Sequence, residues 1–183
     1  LKDKLGERIF PRGTAIVDDP LRPDGLRSRA FDAEGMAVSR QKLIDDGVLT
    51  TWLLDLASAR QLGLESTGHA ARAVSSLPSP APSNAWLEPG QQSPEALLAD
   101  IENGFYVIEM LGMGINYVTG DYSRGAAGFW IEDGELGPPV SEVTIAGSLL
   151  DMFMHLTPAD DLVLRYGIDA PTLRIDGMTV AGQ

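Results

Sequence analysis

Thr119-Gly120-Asp121-Tyr122-Ser123-Arg124-Gly125-Ala126-Ala127-Gly128-Phe129-Trp130-Ile131-Glu132 leads directly into Asp133-Gly134. A polar, glycine-punctuated approach runs into an aromatic strand, and the Asp-Gly pair supplies the positive φ of a tight turn. This predicts a hairpin pairing residues 125–132 with 135–142. Proline cannot donate to a sheet ladder, so Pro138-Pro139 belongs at a bulge or an edge. The same pattern recurs outward. Residues 36–44 and 48–55 flank Asp45-Asp46-Gly47 as a second hairpin, whose second arm is apolar at consecutive positions and so expected to be covered on both faces. Residues 14–18, 86–90, 105–111, 143–146 and 173–175 read as further strands, the first stopped by Asp19-Pro20.

Helix signals are short and well capped. Asp55 is placed to cap a helix over 55–62, with Gly63 past its end. Ser93, Pro94 and Glu95 open another, with Leu97, Leu98 and Ile101 on one face and Gly104 as its stop. Ser148 can cap a third through His155. Residues 65–84 are crowded with Ser, Pro, Gly and Ala. Such a long loop is expected to be functional or mobile. The pattern predicts an α+β fold with a mainly antiparallel, twisted or barrel-like sheet and two or three short helices, as one domain over 1–183.

Composition narrows the function classes. Fourteen basic residues against 26 acidic ones give a net charge of −12, and the pI is near 4.4. Phosphate neutralisation needs clustered Lys and Arg, so direct nucleic-acid contact is disfavoured. There is no cysteine, which excludes disulfides and thiolate ligands and fits a reducing, cytoplasmic setting. No apolar run approaches the roughly 18 residues of a membrane helix, so no membrane association is expected. The chain begins without Met and with a charged, mixed segment unlike a signal peptide. A missing N-terminal portion is expected.

The chemistry-bearing residues are few. A helical zinc hydrolase needs two histidines one turn apart with a general-base glutamate. Here His69 and His155 stand far apart, each without a companion on its own turn. No metal site and no catalytic set is therefore assigned. Gly-x-Ser-x-Gly is absent, and Asp121-Tyr122-Ser123-Arg124-Gly125 only superficially resembles it. Gly112-Met113-Gly114 lacks the third glycine and the lysine of the phosphate-binding loops. Two clusters are left as candidates for binding a peptide or a partner: Thr67, Gly68, His69 and Arg72 at the mouth of the long loop, and Gly120, Asp121, Tyr122, Ser123 and Arg124 before the aromatic strand. An Asp121–Arg124 contact within an ordinary surface turn is the plainer alternative for the second cluster.

The 119–132 block, together with Ile16-Val17-Asp18-Asp19-Pro20, Asp32-Ala33-Glu34-Gly35, Ser66-Thr67-Gly68-His69-Ala70 and Ala170-Pro171-Thr172-Leu173-Arg174-Ile175, resembles the C-terminal domain of the TldD/PmbA family, on its PmbA (TldE) side. The resemblance spans nearly the whole chain and keeps the family's order. It implies that zinc-protease chemistry sits in a TldD-like partner, which carries a His-Glu-x-x-x-His helix and a cysteine ligand. This chain would then be the non-catalytic subunit domain, with no cofactor of its own and zinc in the partner. Implied partners are that protease subunit and unfolded peptides, including microcin leader peptides and antitoxins, with self-association as a further option. Two alternatives are a stand-alone hydrolase using His69 or His155 and, following the family's older name, a modulator of DNA gyrase.

Overall fold

Two Asp-Gly pairs close the hairpins of this fold. Asp46 and Gly47 have φ of 48° and 78°, and Asp133 and Gly134 have φ of 49° and 81°. Left-handed backbone at both central residues matches the twist of the flanking strands, as a two-residue hairpin turn requires. The computed structural model describes residues 2–182. In chain order its strands are β1 (Ile16–Asp18), β2 (Gln41–Asp45), β3 (Val48–Leu49), β4 (Ala70–Ala71), β5 (Ser79–Pro80), β6 (Ala85–Leu87), β7 (Asn103–Leu111), β8 (Asp121–Glu132), β9 (Glu135–Ser148), β10 (Leu156–Pro158), β11 (Ile168–Asp169), β12 (Leu173–Ile175) and β13 (Thr179–Ala181). The helices are α1 (Leu56–Leu62), α2 (Pro94–Leu98) and α3 (Leu149–Met154).

The fold is α+β and mostly antiparallel, as the sequence implies, and among the described residues no sheet closes into a barrel. The chain forms two compact units. One comprises Leu1–Arg8, Arg12–Pro89 and Leu162–Pro171. Its main sheet has the order β11-β6-β1-β2-β3, and β4 pairs with β5 inside the serine- and proline-rich segment. The second hairpin is shorter than expected, because after Leu49 the chain leaves the sheet. Leu54 and Asp55 are nonetheless buried, and Asp55 caps α1 by accepting from the Ser58 N–H at 2.7 Å. Gly63 ends that helix in the left-handed conformation.

The other unit comprises Ile9–Pro11, Gly90–Asp161 and Thr172–Gln183. Its four-stranded sheet runs β13-β9-β8-β7. The predicted hairpin is present but longer, with Asp121 opposite Ser148 at the far end. The whole polar approach of the quoted stretch is therefore strand rather than a loop before one. Pro139 sits opposite Phe129 next to register shifts. The outer side of β9 is unpaired there among the described residues, since β13 covers only residues 144–146, and the ladder with β8 shifts register beside the prolines. Tyr122, Ala126 and Ile145 form a buried cluster with Phe105, Val107, Leu149, Met152, Met178 and Val180 packed against it. Phe105 meets Trp130 edge-to-face at 5.2 Å, and Phe10 stacks on Phe153 at 4.7 Å.

Helix ends differ from expectation for a local reason. Ser93 caps α2 as read, accepting from the Ala96 N–H at 3.3 Å, but the helix stops at Leu98 and Gly104 lies within β7. Ser148 precedes α3 without a side-chain cap bond. The sequence reading also misses β13, a three-residue strand after Gly177.

The β7–β8 connection is a built turn. The Ser123 N–H donates to the Gly114 carbonyl at 2.7 Å. Asn116 receives the N–H groups of Val118 and Thr119 at 3.0 and 3.3 Å. A Cβ at Gly114 would overlap the Ser123 carbonyl oxygen. Gly114→Ala should therefore lower stability by about 2 kcal/mol or more, the range for a backbone position that cannot take a side chain. Thermal unfolding measures the loss, and faster hydrogen exchange at the Ser123 amide would locate it.

Candidate functional site

Asp18 ends β1 pointing inward, and its side chain is fully buried. Ser83 donates to it twice, from the backbone N–H to Oδ2 at 2.7 Å and from the hydroxyl to Oδ1. His69 Nε2 lies 3.2 Å from the same Oδ1, and His69 Nδ1 lies 2.9 Å from Thr67 Oγ1. A carboxylate only accepts, so Nε2 carries a proton and donates to Asp18, while the Thr67 hydroxyl facing Nδ1 also lies 3.2 and 3.3 Å from the Trp52 and Leu54 carbonyls, to either of which it can donate. That hydroxyl oxygen also accepts from the Leu54 N–H at 2.8 Å. Burial pushes the Asp18 carboxyl up, but the His69 bond and the two Ser83 bonds outweigh it and hold the group below the usual carboxylate range.

The order Thr67, His69, Asp18 has the connectivity of a hydrolytic relay but not its access. His69 is only 1% exposed, and both of its nitrogens are engaged. The residue read as a loop histidine at the mouth of a long segment is instead packed beneath that segment. Gly68 has φ 71°, and a Cβ there would stand 2.6 Å from the Ala37 carbonyl oxygen, so residues 67–69 are pressed against neighbouring backbone. Arg72 is exposed and makes no ion pair among the described residues.

Two further buried acceptors complete this region. Asp32 receives the N–H groups of Glu34 and Met36 at 2.9 Å each and that of Ala70 at 3.1 Å. Asn84 accepts from the Arg27 N–H at 3.0 Å and donates to the Asp19 carbonyl and the Ser28 hydroxyl, both at 2.9 Å. Asp18, Ser83, Asp32 and Asn84 escape the sequence reading of candidate residues. The available signal was Asp32-Ala33-Glu34-Gly35, where an aspartate can take the N–H groups two and four positions on.

The second cluster lies in the other unit. Gly120 closes the built turn by donating to the Asn116 carbonyl at 2.8 Å. Asp121 is exposed and accepts from the Thr119 hydroxyl at 2.6 Å. Tyr122 is buried in the core, 8% exposed, and its hydroxyl donates to the Met110 sulfur at 3.3 Å. Ser123 is exposed. Arg124 makes no ion pair with Asp121 or with any other acid among the described residues. Its one protein hydrogen bond reaches the Met110 carbonyl at 3.5 Å, and its Nε is buried without a partner.

His155 is exposed at the end of α3, with Nδ1 2.8 Å from the Asp151 carbonyl. It borders a cleft of about 350 Å³ together with Asp151, Met152, Asp176 and Met178. Asp176 is already paired with Arg174 at 2.8 Å. Among the described residues no three His, Asp or Glu side chains are grouped to hold a metal ion, and no helix is long and apolar enough to cross a membrane. The residues present do not fit a zinc site: His69 is committed on both nitrogens, and His155 has no second imidazole.

A family model described as the PmbA/TldA metallopeptidase C-terminal domain matches residues 1–182. The chain is 43% identical to the metalloprotease PmbA of Escherichia coli O157:H7, over 100% of this chain and 39% of that protein. Among solved structures, TldE from Thermococcus kodakarensis superposes with a TM-score of 0.86 at 26% identity, covering 98% of this chain and 42% of that one. A Thermotoga maritima protein solved as a candidate modulator of a DNA gyrase superposes at 0.84 with 35% identity, covering 99% of this chain and 42% of that one. The chain thus spans less than half the length of these relatives.

Removing the Asp18 carboxylate should show what the buried network contributes. Asp18→Ala leaves three buried donors unmet, from Ser83 twice and from His69, and should cost about 3 kcal/mol or more. A carboxyl held low in the folded state contributes stability that is complete above its ordinary range and lost as pH falls through and below it, under about pH 4. Urea unfolding across that range should show the acid limb shrinking in Asp18→Asn. An unchanged limb would assign it to other carboxylates.

Proposed function

Because the chain belongs to the PmbA/TldD family and spans its C-terminal domain, we propose that it is the non-catalytic subunit domain of a TldD/TldE-type zinc metalloprotease that cuts unfolded peptides in the cytoplasm. The observation that carries this reading is the fate of the two histidines. General acid–base or nucleophilic catalysis needs a titratable group within hydrogen-bond reach of a substrate. His69 is enclosed and engaged at both nitrogens, and His155 has neither a hydroxyl nucleophile bonded to it nor a metal-ligand companion. A domain of this family whose histidines have neither a bonded nucleophile nor a metal-ligand companion is suited to shaping and recruiting, with hydrolysis in the TldD-like partner. Leader peptides of modified peptide antibiotics and small antitoxins are the substrate classes that fit. The zinc belongs to the partner, and this chain's own residues bind and position.

A stand-alone hydrolase would have to use His155, the one accessible imidazole. The gyrase-directed reading is weaker, because a net charge of −12 opposes contact with DNA.

The test is a reconstitution. The chain alone should release no fragments from an unfolded peptide and should hold no stoichiometric zinc by elemental analysis. Added as the full-length protein to a TldD-like subunit, it should raise peptide cleavage at least tenfold. His155→Ala should leave that stimulation within twofold. Cleavage by the isolated chain that disappears in His155→Ala would overturn the reading in favour of the hydrolase.

A further inference from the structure

The loop joining β7 to β8 exposes apolar side chains to an unusual degree. Met113 is 94% exposed, Tyr117 82% and Val118 95%. These side chains stand on the hydrogen-bonded turn built by Gly114, Asn116 and Gly120, so their exposure is held by backbone bonds and does not reflect a loose excursion. No charged residue occurs from Met110 to Thr119, in a chain with 26 acids. Solvated faces of such a protein normally carry charge, and an apolar surface on a rigid frame marks a binding site.

A single cation faces this strip. Met113, Gly114, Ile115, Tyr117 and Arg124 line a cleft of about 90 Å³, a volume suited to a carboxylate rather than to a cofactor. Arg124 shares a strand face with Tyr122 and Ala126 and is half-buried. Its Nε has no hydrogen-bond partner, its contact with the Met110 carbonyl is long at 3.5 Å, and the nearest acid in sequence, Asp121, is turned to Thr119. A buried, unsatisfied guanidinium donor is costly, and a carboxylate satisfies it with two parallel charge-assisted bonds.

We infer that this cleft is a docking site for an apolar segment of a partner protein that places an aspartate or glutamate against Arg124. Apolar side chains lie on both sides of Arg124 along the hairpin, Leu111, exposed and paired with Gly125, on one side and Tyr117 with Val118 at the tip of the turn on the other. The carboxylate therefore belongs in mid-chain with apolar neighbours on either side, and a chain terminus does not supply them. The acid neutralises Arg124 while its neighbours cover the strip. This deepens the reading of the chain as a partner-binding subunit and rests on it only for which protein supplies the segment. Failure here leaves the cleavage experiment untouched, and failure there leaves the chemistry of this surface standing.

The probe is the peptide acetyl-Leu-Val-Glu-Val-Leu-amide, titrated into the isotope-labelled chain and followed by NMR at the Arg124 Nε–Hε signal and the amides of residues 113–118. Saturable shifts of these signals are expected, with binding at least tenfold weaker for the glutamine counterpart. Arg124→Gln should weaken binding at least tenfold. Tyr117→Ser, at a side chain free of the core, should weaken it about fivefold while leaving thermal unfolding unchanged. Equal binding of the glutamine peptide, or no shift at millimolar peptide, would overturn the proposal. Tighter binding of a peptide ending in a free carboxylate would overturn the mid-chain placement. The same shifts on concentrating the chain without peptide would give the site to a second copy and overturn the assignment to a partner.

Discussion

The carboxylate of Asp18 is the constraint on which the first unit depends. A buried charge is tolerable only when its oxygens are filled, and here the carboxylate at the end of β1 draws its donors from two distant places, His69 beside β4 and Ser83 on the approach to β6. Satisfying one acid thus fixes the path of the serine- and proline-rich segment between residues 65 and 84. Asp32, on the loop before β2, repeats the device by taking the N–H groups of Glu34, Met36 and Ala70, and Asn84, just before β6, accepts from Arg27 and donates to Asp19 and Ser28. Buried polar side chains thus add to the apolar core that Val17, Ile44, Leu49, Leu54 and Leu87 form.

The second unit is held by different means. Its long β8–β9 ribbon buries alternate residues, Tyr122 and Ala126 on one strand and Val143 and Ile145 on the other, and α3 with β13 covers part of that face. Register drifts only where prolines enter β9 and where Glu142 takes a positive φ of 60°. The ordered ladder continues into the β7–β8 turn, and this lets an uncharged, apolar loop stand in water without collapsing onto the sheet.

The parts legible in the sequence were those with local causes. Asp-Gly pairs placed both hairpin turns, and Asp55 with Gly63 placed α1 with its two caps. The antiparallel α+β character followed from strands separated by short connections. The family motifs pointed to the PmbA side, as the matches to its C-terminal domain bear out. What was hidden depends on distant partners. His69 looked like a loop residue because nothing near it in sequence announces Asp18, and Tyr122 looked like a surface aromatic because its packing partners lie on β9, α3 and β7. A contact of Arg124 with Asp121, three positions away, was the plainer alternative to a binding role. In a strand those two residues point to opposite faces, and that pair does not form.

The parallel neighbour of β6 is β11, and Ala85 is paired with Ile168. During synthesis the strand that completes the first sheet emerges only after almost the whole second unit has been made. Residues 1–89 must wait on the ribosome with one edge of β6 open. Long-range pairing of this kind is slow to form and leaves a bare edge exposed to neighbouring chains. Order in the first unit is therefore inherited from the last quarter of the chain, and a ribosome that stalls within β9 leaves behind an unfinished sheet rather than a finished small domain.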